Sequence, residues 1–493
     1  MGSHILSKSS FLKGIQCEKQ LYLYKHHYDW QDPISEAQQA IFDRGTNVGI
    51  LAQQLFLGGA KGTEDVRQSD MAVLRTSELI SKNIRVIYEA AFLFDDVLVI
   101  SDIIVKSGDK WKIYEVKSST KVTEPHIYDA AIQYYVLKNS GLDISDFSIV
   151  YLNNQYVRMG KLDIHELFTI ESVLGPAKMQ WDFVTEKVAA LKKVVRKRSI
   201  PDIKIGPQCH NPYDCSFLGT CWKDVPEYSI FDIAGMRTDK KFDLFKGGKL
   251  KLEDIPDDYK LTTNQRMQIE SEINGNTTID KKGIKEFLDS LSYPLYFIDF
   301  ETFMPAVPLY DQSRPYQQIP FQYSMHFQKS RGSELQHVEF LADGKSDPRI
   351  PFIENLLRDT EREGNIIVYN QSFEMSRLKE IAEDFPKYKK GINELLKRIK
   401  DLMLPFQKKY YYNPAMKGSY SIKNVLPALV PEMSYDEMAI SEGGAAMNAF
   451  ESLINETDPE VIKKTRKDLL EYCKMDTLAM VKLLDKLFEI QTS

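Results

Sequence analysis

The chain has 493 residues, 43% hydrophobic and 27% charged, enough for two or three ordinary globular domains with sizeable cores. Its formal charge of −6 excludes a global basic field, so a nucleic-acid partner must be held by local patches or through metal ions that invert the sign of acidic clusters. No run of about 18 apolar residues occurs and the start lacks a signal-peptide core, which predicts a cytoplasmic protein with no membrane partner; Met1 to His4 read as a cloning remnant.

In chain order, SSFLKGIQCEKQLYLYKH and EAQQAIFDRGTNVGILAQQLF carry helical periodicity. From Ile84 to Glu115 the pattern alternates, broken by turns at Asp95-Asp96 and Ser107-Gly108-Asp109, which predicts a meander. A helix follows from about Pro125 to Asn139, then the strand FSIVYL. Residues of about 5–225 thus read as a first α/β domain, and the polar, turn-rich 226–290 as a connecting region. Residues 291–493 read as a second domain, with strands YFIDFETF, FQYSMHFQ and HVEFLA, a helix PFIENLLRDTERE, a strand NIIVYN and then mostly helices. Strands first and helices after predict a mixed sheet covered by helices, so the expected fold class is α/β with two domains.

In the strand YFIDFETF, Asp299 and Glu301 point the same way at the end of an apolar run. Two like charges there repel and lose hydration unless a cation sits between them. Glu374 follows the end of the strand at Asn370 by four residues, and Tyr472 and Asp476 share one helix face at the same spacing. Asp401, in DLMLPF, competes with Glu374 for the fourth acidic position, but its context reads equally well as a turn or cap. Hard oxygen ligands of this kind suit Mg2+ or Mn2+. Downstream, KKYYYNPAMKGSYSIKNVL interleaves Lys408, Lys409, Lys417 and Lys423 with Tyr410, Tyr411, Tyr412 and Tyr420. Such a pattern suits phosphates and unpaired bases, and suits a packed surface loop equally.

These motifs resemble the DEDD exonuclease superfamily, of RNase H-like fold, over about Leu295 to Leu487. Asp299 and Glu301 match its D-x-E, Asn370 and Glu374 its N-x-x-x-D with Glu in place of Asp, and Tyr472 and Asp476 its Y-x-x-x-D. The resemblance implies two metal ions held by Asp299, Glu301, Glu374 and Asp476, 3′→5′ exonuclease activity, and Tyr472 placing the attacking water.

In the first domain, Glu89, Asp102, Glu115 and Lys117 form a second acidic set, with Glu115 and Lys117 on one strand face and Gln133 and Tyr134 on the next helix. Two carboxylates there can bind magnesium, and a lysine can stabilise developing charge on a phosphate. This looks like the PD-(D/E)XK nuclease core of the RecB family, with Leu137 where a tyrosine is expected and Gly49 near the place of a metal-binding histidine. Five cysteines, an odd count, argue against a disulfide framework, and three crowd into CHNPYDCSFLGTCW, where they can share a metal centre. Cys17 before the core, with Cys209, Cys215 and Cys221 after it, resembles the iron–sulfur staple of AddB-type and CRISPR-associated RecB-like nucleases, which implies a 4Fe-4S cluster; zinc is the alternative. Together the resemblances imply a two-site nuclease, with single-stranded DNA as the expected substrate and RNA as the runner-up. A binding adaptor with inactive sites is the rival from another class.

Overall fold

The computed structural model describes residues 5–63, 69–361, 363–435 and 438–492; Met1 to His4 lie outside them. The protein is α/β, with two mixed sheets and many helices, and divides into two compact units. One unit comprises Met1–Asp224 and Ala306–Tyr316, the other Val225–Pro305 and Gln317–Ser493. Among the described residues no helix is long and apolar enough to cross a membrane.

The first unit opens with α1 (Lys8–Gln16), α2 (Glu18–His26) and α3 (Glu36–Ala52). The meander follows as β1 (Val86–Phe94), β2 (Val97–Ser107) and β3 (Lys110–Lys117), then α4 (Glu124–Asn139), β4 (Ile144–Leu152), β5 (Phe168–Ser172) and α5 (Trp181–Val195). β1, β2 and β3 pair antiparallel, β4 adds parallel to β3 after the α4 crossover, and β5 closes the sheet antiparallel. A parallel addition requires such a crossover. Helix α4 is the structural pivot: Ala130, Ile132, Val136 and Leu137 are buried in the main core, so its wet face is narrow. Pairing of Tyr88 with Ile103 and of Ala90 with Ser101 brackets Glu89 and Asp102, which stand opposite each other between them.

In the second unit, residues 226–290, expected as a connection, fold as part of the unit and bury a small core of Ile230, Ile233, Leu244, Leu252 and Ile269. They contribute α6 (Thr263–Asn274) and α7 (Lys281–Asp289). The sheet is built from β6 (Leu295–Phe303), β7 (Ile319–Gln328), β8 (Gln336–Leu341), β9 (Asn365–Val368) and β10 (Ile399–Asp401), in the order β8-β7-β6-β9-β10. The first three are antiparallel, whereas β9 and β10 add parallel to β6. Between and after them lie α8 (Arg349–Asp359), α9 (Gln371–Asp384), α10 (Lys389–Arg398), α11 (Ile422–Leu429), α12 (Gly443–Leu453) and α13 (Pro459–Thr492). Strand β6 is central, so both its faces are covered: Tyr296, Ile298 and Phe300 enter the core under α8, α9 and α10, which leaves Asp299 and Glu301 on the other face.

Candidate functional site

That other face of β6 meets α13. Spacing of four places Tyr472 and Asp476 on the same side of α13, and both are buried. One oxygen each from Asp299, Glu301 and Asp476 lie within 4.8 Å of one another, the one such group of His, Cys, Asp or Glu among the described residues. Burial, and then the Asp476 charge, push Asp299 and Glu301 well above the ordinary carboxylate range. Burial also pushes Asp476 up, to about 6, against the hydrogen bond from Tyr435 and the charge of Lys423. Two buried acids and a half-buried third this close are costly without a cation.

Four further residues touch this site. Tyr435 donates to Asp476 Oδ1 at 2.7 Å, and Lys423, in the first turn of α11, lies 5.8 Å and 6.0 Å from the Tyr435 and Tyr472 ring centres. Cys473 Sγ lies 3.7 Å from Asp299 Oδ2. At the start of α12, a Cβ on Gly443 would stand 3.8 Å from Glu301 Oε2, so a helix N-terminus faces the acids. The Tyr435 role carries no periodic signal, since this tyrosine sits outside any helix or strand.

Glu374 stands outside the group of three but raises both Asp299 and Glu301, and burial pushes its own carboxyl to about 8. Its Oε2 is buried without a hydrogen-bond partner, which leaves that atom available as a ligand. Helix α9 starts one residue earlier than Ser372, at Gln371, and Asn370 precedes it in the left-handed region (φ 72°). Asp401 holds that turn by accepting the backbone N–H groups of Asn370, Gln371 and Met403 at 3.0, 3.1 and 2.9 Å. It caps the helix that presents Glu374. Asn370 is exposed, and its side-chain oxygen accepts from Ser372.

The lysine–tyrosine stretch is a correction. Lys409 and Tyr411 are buried, so neither reaches a phosphate or a base. Lys409 lies 3.9 Å from the Tyr412 ring centre, and burial lowers its pKa to about 8. Tyr411 pairs with Ile279 and Tyr412 with Thr278, and Tyr412 bonds Glu272 on α6. Gly418, at φ +74°, packs so tightly that a Cβ would stand 2.5 Å from Asp232 O. The segment is a seam onto residues 226–290; Lys408 stays exposed, and Lys417 is exposed but paired with Glu227.

In the first unit, Glu115 accepts from Lys8 Nζ at 2.6 Å, Lys117 Nζ at 2.7 Å and Gln133 Nε2 at 2.8 Å. Gln133 also bonds Asp129 at 2.9 Å and Ser101 at 2.8 Å, and Lys117 reaches Asp129 at 2.5 Å. Burial pushes the Asp129 carboxyl up, but Lys117 and Lys8 outweigh it and hold the group below its usual range. Lys8 and Asp129 escaped the sequence reading. Asp129 was findable, being four residues before Gln133 on the same helix face; Lys8 lies 107 residues from its partner and gives no signal. Asp102 accepts from Val116 N at 2.7 Å, and burial followed by the Glu115 charge pushes it to about 7. The same two causes raise Glu89. A Cβ on Gly49 meets nothing within 4 Å, so the helix face there is open.

Cys17, Cys209, Cys215 and Cys221 line one small cavity; burial, with a smaller contribution from neighbouring thiols, raises Cys17, Cys215 and Cys221, and takes Cys215 to about 12. No three of them come within 4.8 Å.

Fold and site thus define an α/β protein of two mixed-sheet units, one holding a close triad of carboxylates and the other an acid–lysine cluster and a thiol quartet. A family model described as a domain of unknown function (DUF2779) matches residues 296–421, which include Asp299, Glu301, Glu374 and Asp401 but not Tyr472 or Asp476. The chain is similar to the "Uncharacterized protein UU173" of Ureaplasma parvum serovar 3, 26% identical over 42% of this chain and 33% of that protein. It is also similar to the "Uncharacterized protein MG366 homolog" of Mycoplasma pneumoniae, 27% identical over 41% of this chain and 34% of that protein. The chain thus covers about a third of the length of the curated relatives it matches.

Proposed function

We propose that the protein is a metal-dependent nuclease whose principal site, in the second unit, hydrolyses phosphodiesters of single-stranded nucleic acid in the manner of RNase H-like DEDD exonucleases. The observation that carries this reading is the group of Asp299, Glu301 and Asp476, one half-buried and two buried, whose carboxylate oxygens lie within 4.8 Å of one another. The central place of β6 in a sheet of three antiparallel and two parallel strands also supports it. The donors are all hard oxygens and fit Mg2+ or Mn2+, with Glu374 Oε2 as a fourth. When bound, such ions supply a nucleophile at neutral pH and stabilise the leaving oxygen. Tyr435 fixes the rotamer of Asp476, Tyr472 stands over the acids to place water, and Lys423 offers positive charge at the rim.

The test is a digestion time course on end-labelled DNA and RNA strands in magnesium or manganese. The parent should release nucleotides from the 3′ end. Glu374→Gln, which keeps shape and removes charge, should slow release by about two to three orders of magnitude. Asp401→Asn should slow it much less and should instead lower stability by about 1–2 kcal/mol, because it weakens a helix cap. A metal-independent rate, or normal release by Glu374→Gln beside a dead Asp401→Asn, would overturn the assignment.

The first unit fits the PD-(D/E)XK reading through Glu115, Lys117 and Gln133, which converge on one point. Its four thiols line one cavity and fit a 4Fe-4S cluster, with zinc as the alternative. Protein purified without oxygen should therefore be brown and contain iron and sulfide. Cys215→Ser should lose both, whereas Cys473→Ser should keep them. Colourless protein with one equivalent of zinc would refute the cluster.

A further inference from the structure

A groove of about 780 Å³ in the second unit is separate from the carboxylate site. It runs between α13 and the edge strand β8 with its following loop. Its walls carry Lys345, Lys463, Arg466, Lys467 and Lys474 against two acids, Glu339 and Glu471, on a chain whose formal charge is −6. Such a local excess of cations on an acidic protein calls for an anionic occupant. Lys345, Lys463 and Lys474 form no ion pair among the described residues, although Lys474 eases the ionisation of Glu339. Arg466 is fixed by bonds to the carbonyls of Ala342 and Leu341 at 2.5 and 3.2 Å, and its charge also acts on the Asp343 carboxyl, which bonds from Ser346 and Lys345 N–H groups hold below its usual range. Lys467 pairs only with Glu471, at 3.5 Å, and keeps 72% of its side chain exposed.

The spacing selects the kind of anion. Lys463, Lys467 and Lys474 recur at four and seven residues, so they share a face over about 16 Å of helix. That is the length of about five nucleotides of a stacked strand at 3.4 Å each. Ile462 and Leu470 between them give an apolar floor for sugars. Lys474 is two residues from Tyr472, about 200° around the helix, so the cationic face looks away from the acids.

We propose that this groove is a secondary track for the phosphate backbone of the strand degraded at the carboxylate site; the proposal rests on the nuclease reading and adds to it. The site of hydrolysis holds the last few nucleotides, and the track holds a distant stretch of the same strand. Long strands are thereby retained between cleavages and short ones are not.

The test compares the parent with Lys463→Glu/Lys467→Glu/Lys474→Glu. All three side chains are exposed, and circular dichroism checks the fold. Anisotropy of a fluorescein-labelled oligothymidylate of about 20 nucleotides, in calcium buffer at several salt concentrations, reads the track; hydrolysis of a trinucleotide in magnesium reads the catalytic site. The variant is expected to bind the long strand at least tenfold more weakly, with a slope of log affinity against log salt smaller by about 2, and to hydrolyse the trinucleotide at the parental rate. Equal affinity and slope for the two proteins would overturn the track. Tighter binding of a polyglutamate peptide than of the oligonucleotide by the parent would also overturn it, in favour of an acidic protein partner. A parent that leaves the trinucleotide intact removes the nuclease reading, and the salt slope still decides whether the groove holds phosphates.

Discussion

Replacing Asp299 by Asn is expected to cut magnesium-dependent hydrolysis by about 10³- to 10⁴-fold, a loss of about 4–5.5 kcal/mol of transition-state stabilisation, and at the same time to make the metal-free protein more stable. The two effects share one cause. Asp299, Glu301 and Asp476 all have folded-state pKa values raised by burial. A carboxylate raised in this way contributes stability that is fully present below its unfolded value near 4 and is lost as pH rises through its folded value, about 6 for Asp476 and well above the ordinary range for the other two. The metal-free second unit should therefore soften from pH 5 to pH 8, and magnesium should restore it by binding the ionised form. Asn at position 299 removes one of the repelling groups, so at pH 8 without metal the melting temperature should rise by roughly 3–8 °C, the equivalent of about 1–3 kcal/mol for a unit of this size. Calorimetry with and without magnesium checks this. Adding magnesium to the parent near pH 6 should also release protons. A variant that loses activity but melts lower than the parent without metal would show that Asp299 supports the fold and not a cation.

In the first unit the largest effect is expected from Lys117→Met. Glu115 is 1% exposed and Asp129 3% exposed, and the change leaves both with Lys8 as their remaining cation. Breaking a buried pair on one side costs about 3–5 kcal/mol, so opening free energies for β3 and α4, read by hydrogen exchange, should fall by about that amount while those of β6 stay unchanged. The acid limb gives an independent check. The folded-state pKa of Asp129 is depressed, so its contribution is present above its unfolded value near 4 and is lost as pH falls through the lower folded one. Asp102, raised to about 7, acts in the opposite sense, but below pH 4 it is already protonated in both states. The parent should thus lose first-unit stability steeply below pH 4, and Lys117→Met should lose less there. Unchanged exchange in β3 would mean that Lys117 contributes nothing to stability, leaving a purely chemical role.

What could be read from the sequence was what depends on short range. The apolar alternation of YFIDFETF gives a strand with two acids on one face, and the spacing of Tyr472 and Asp476 gives one helix face; neither needs knowledge of a distant partner. Asp401 was legible only in part: the turn it makes with Met403 N is local, whereas its cap on α9 reaches back about 30 residues and gives no short-range signal. Residues brought in from elsewhere were not. Lys8, from the first helix, and Tyr435, from a loop, approach their carboxylates through tertiary folding alone. The lysine–tyrosine stretch misled because its composition suits a wet surface, whereas its fate is set by the 226–290 layer that buries it. A mixture of aromatic and basic residues states what a segment can contact, and packing decides what it does contact.

The first unit is not one continuous stretch of chain, and this has a consequence for how the protein is made. Its residues up to Asp224 include the whole sheet and the thiol quartet, yet Ala306–Tyr316 also belong to it. Within that unit Arg158 donates to the carbonyls of Pro308 and Leu309, and Tyr316 to that of Ser118. On a ribosome moving at about 5–20 residues per second, the 92 residues from 224 to 316 take roughly 5–20 s to appear. During that interval the nascent sheet and its cysteines are complete but their last packing partner does not yet exist, and strand β6 of the other unit emerges before it. The two units therefore finish out of step with the order in which they begin, and a gene fragment ending at codon 224 encodes every cysteine of the quartet while omitting part of the unit that surrounds it.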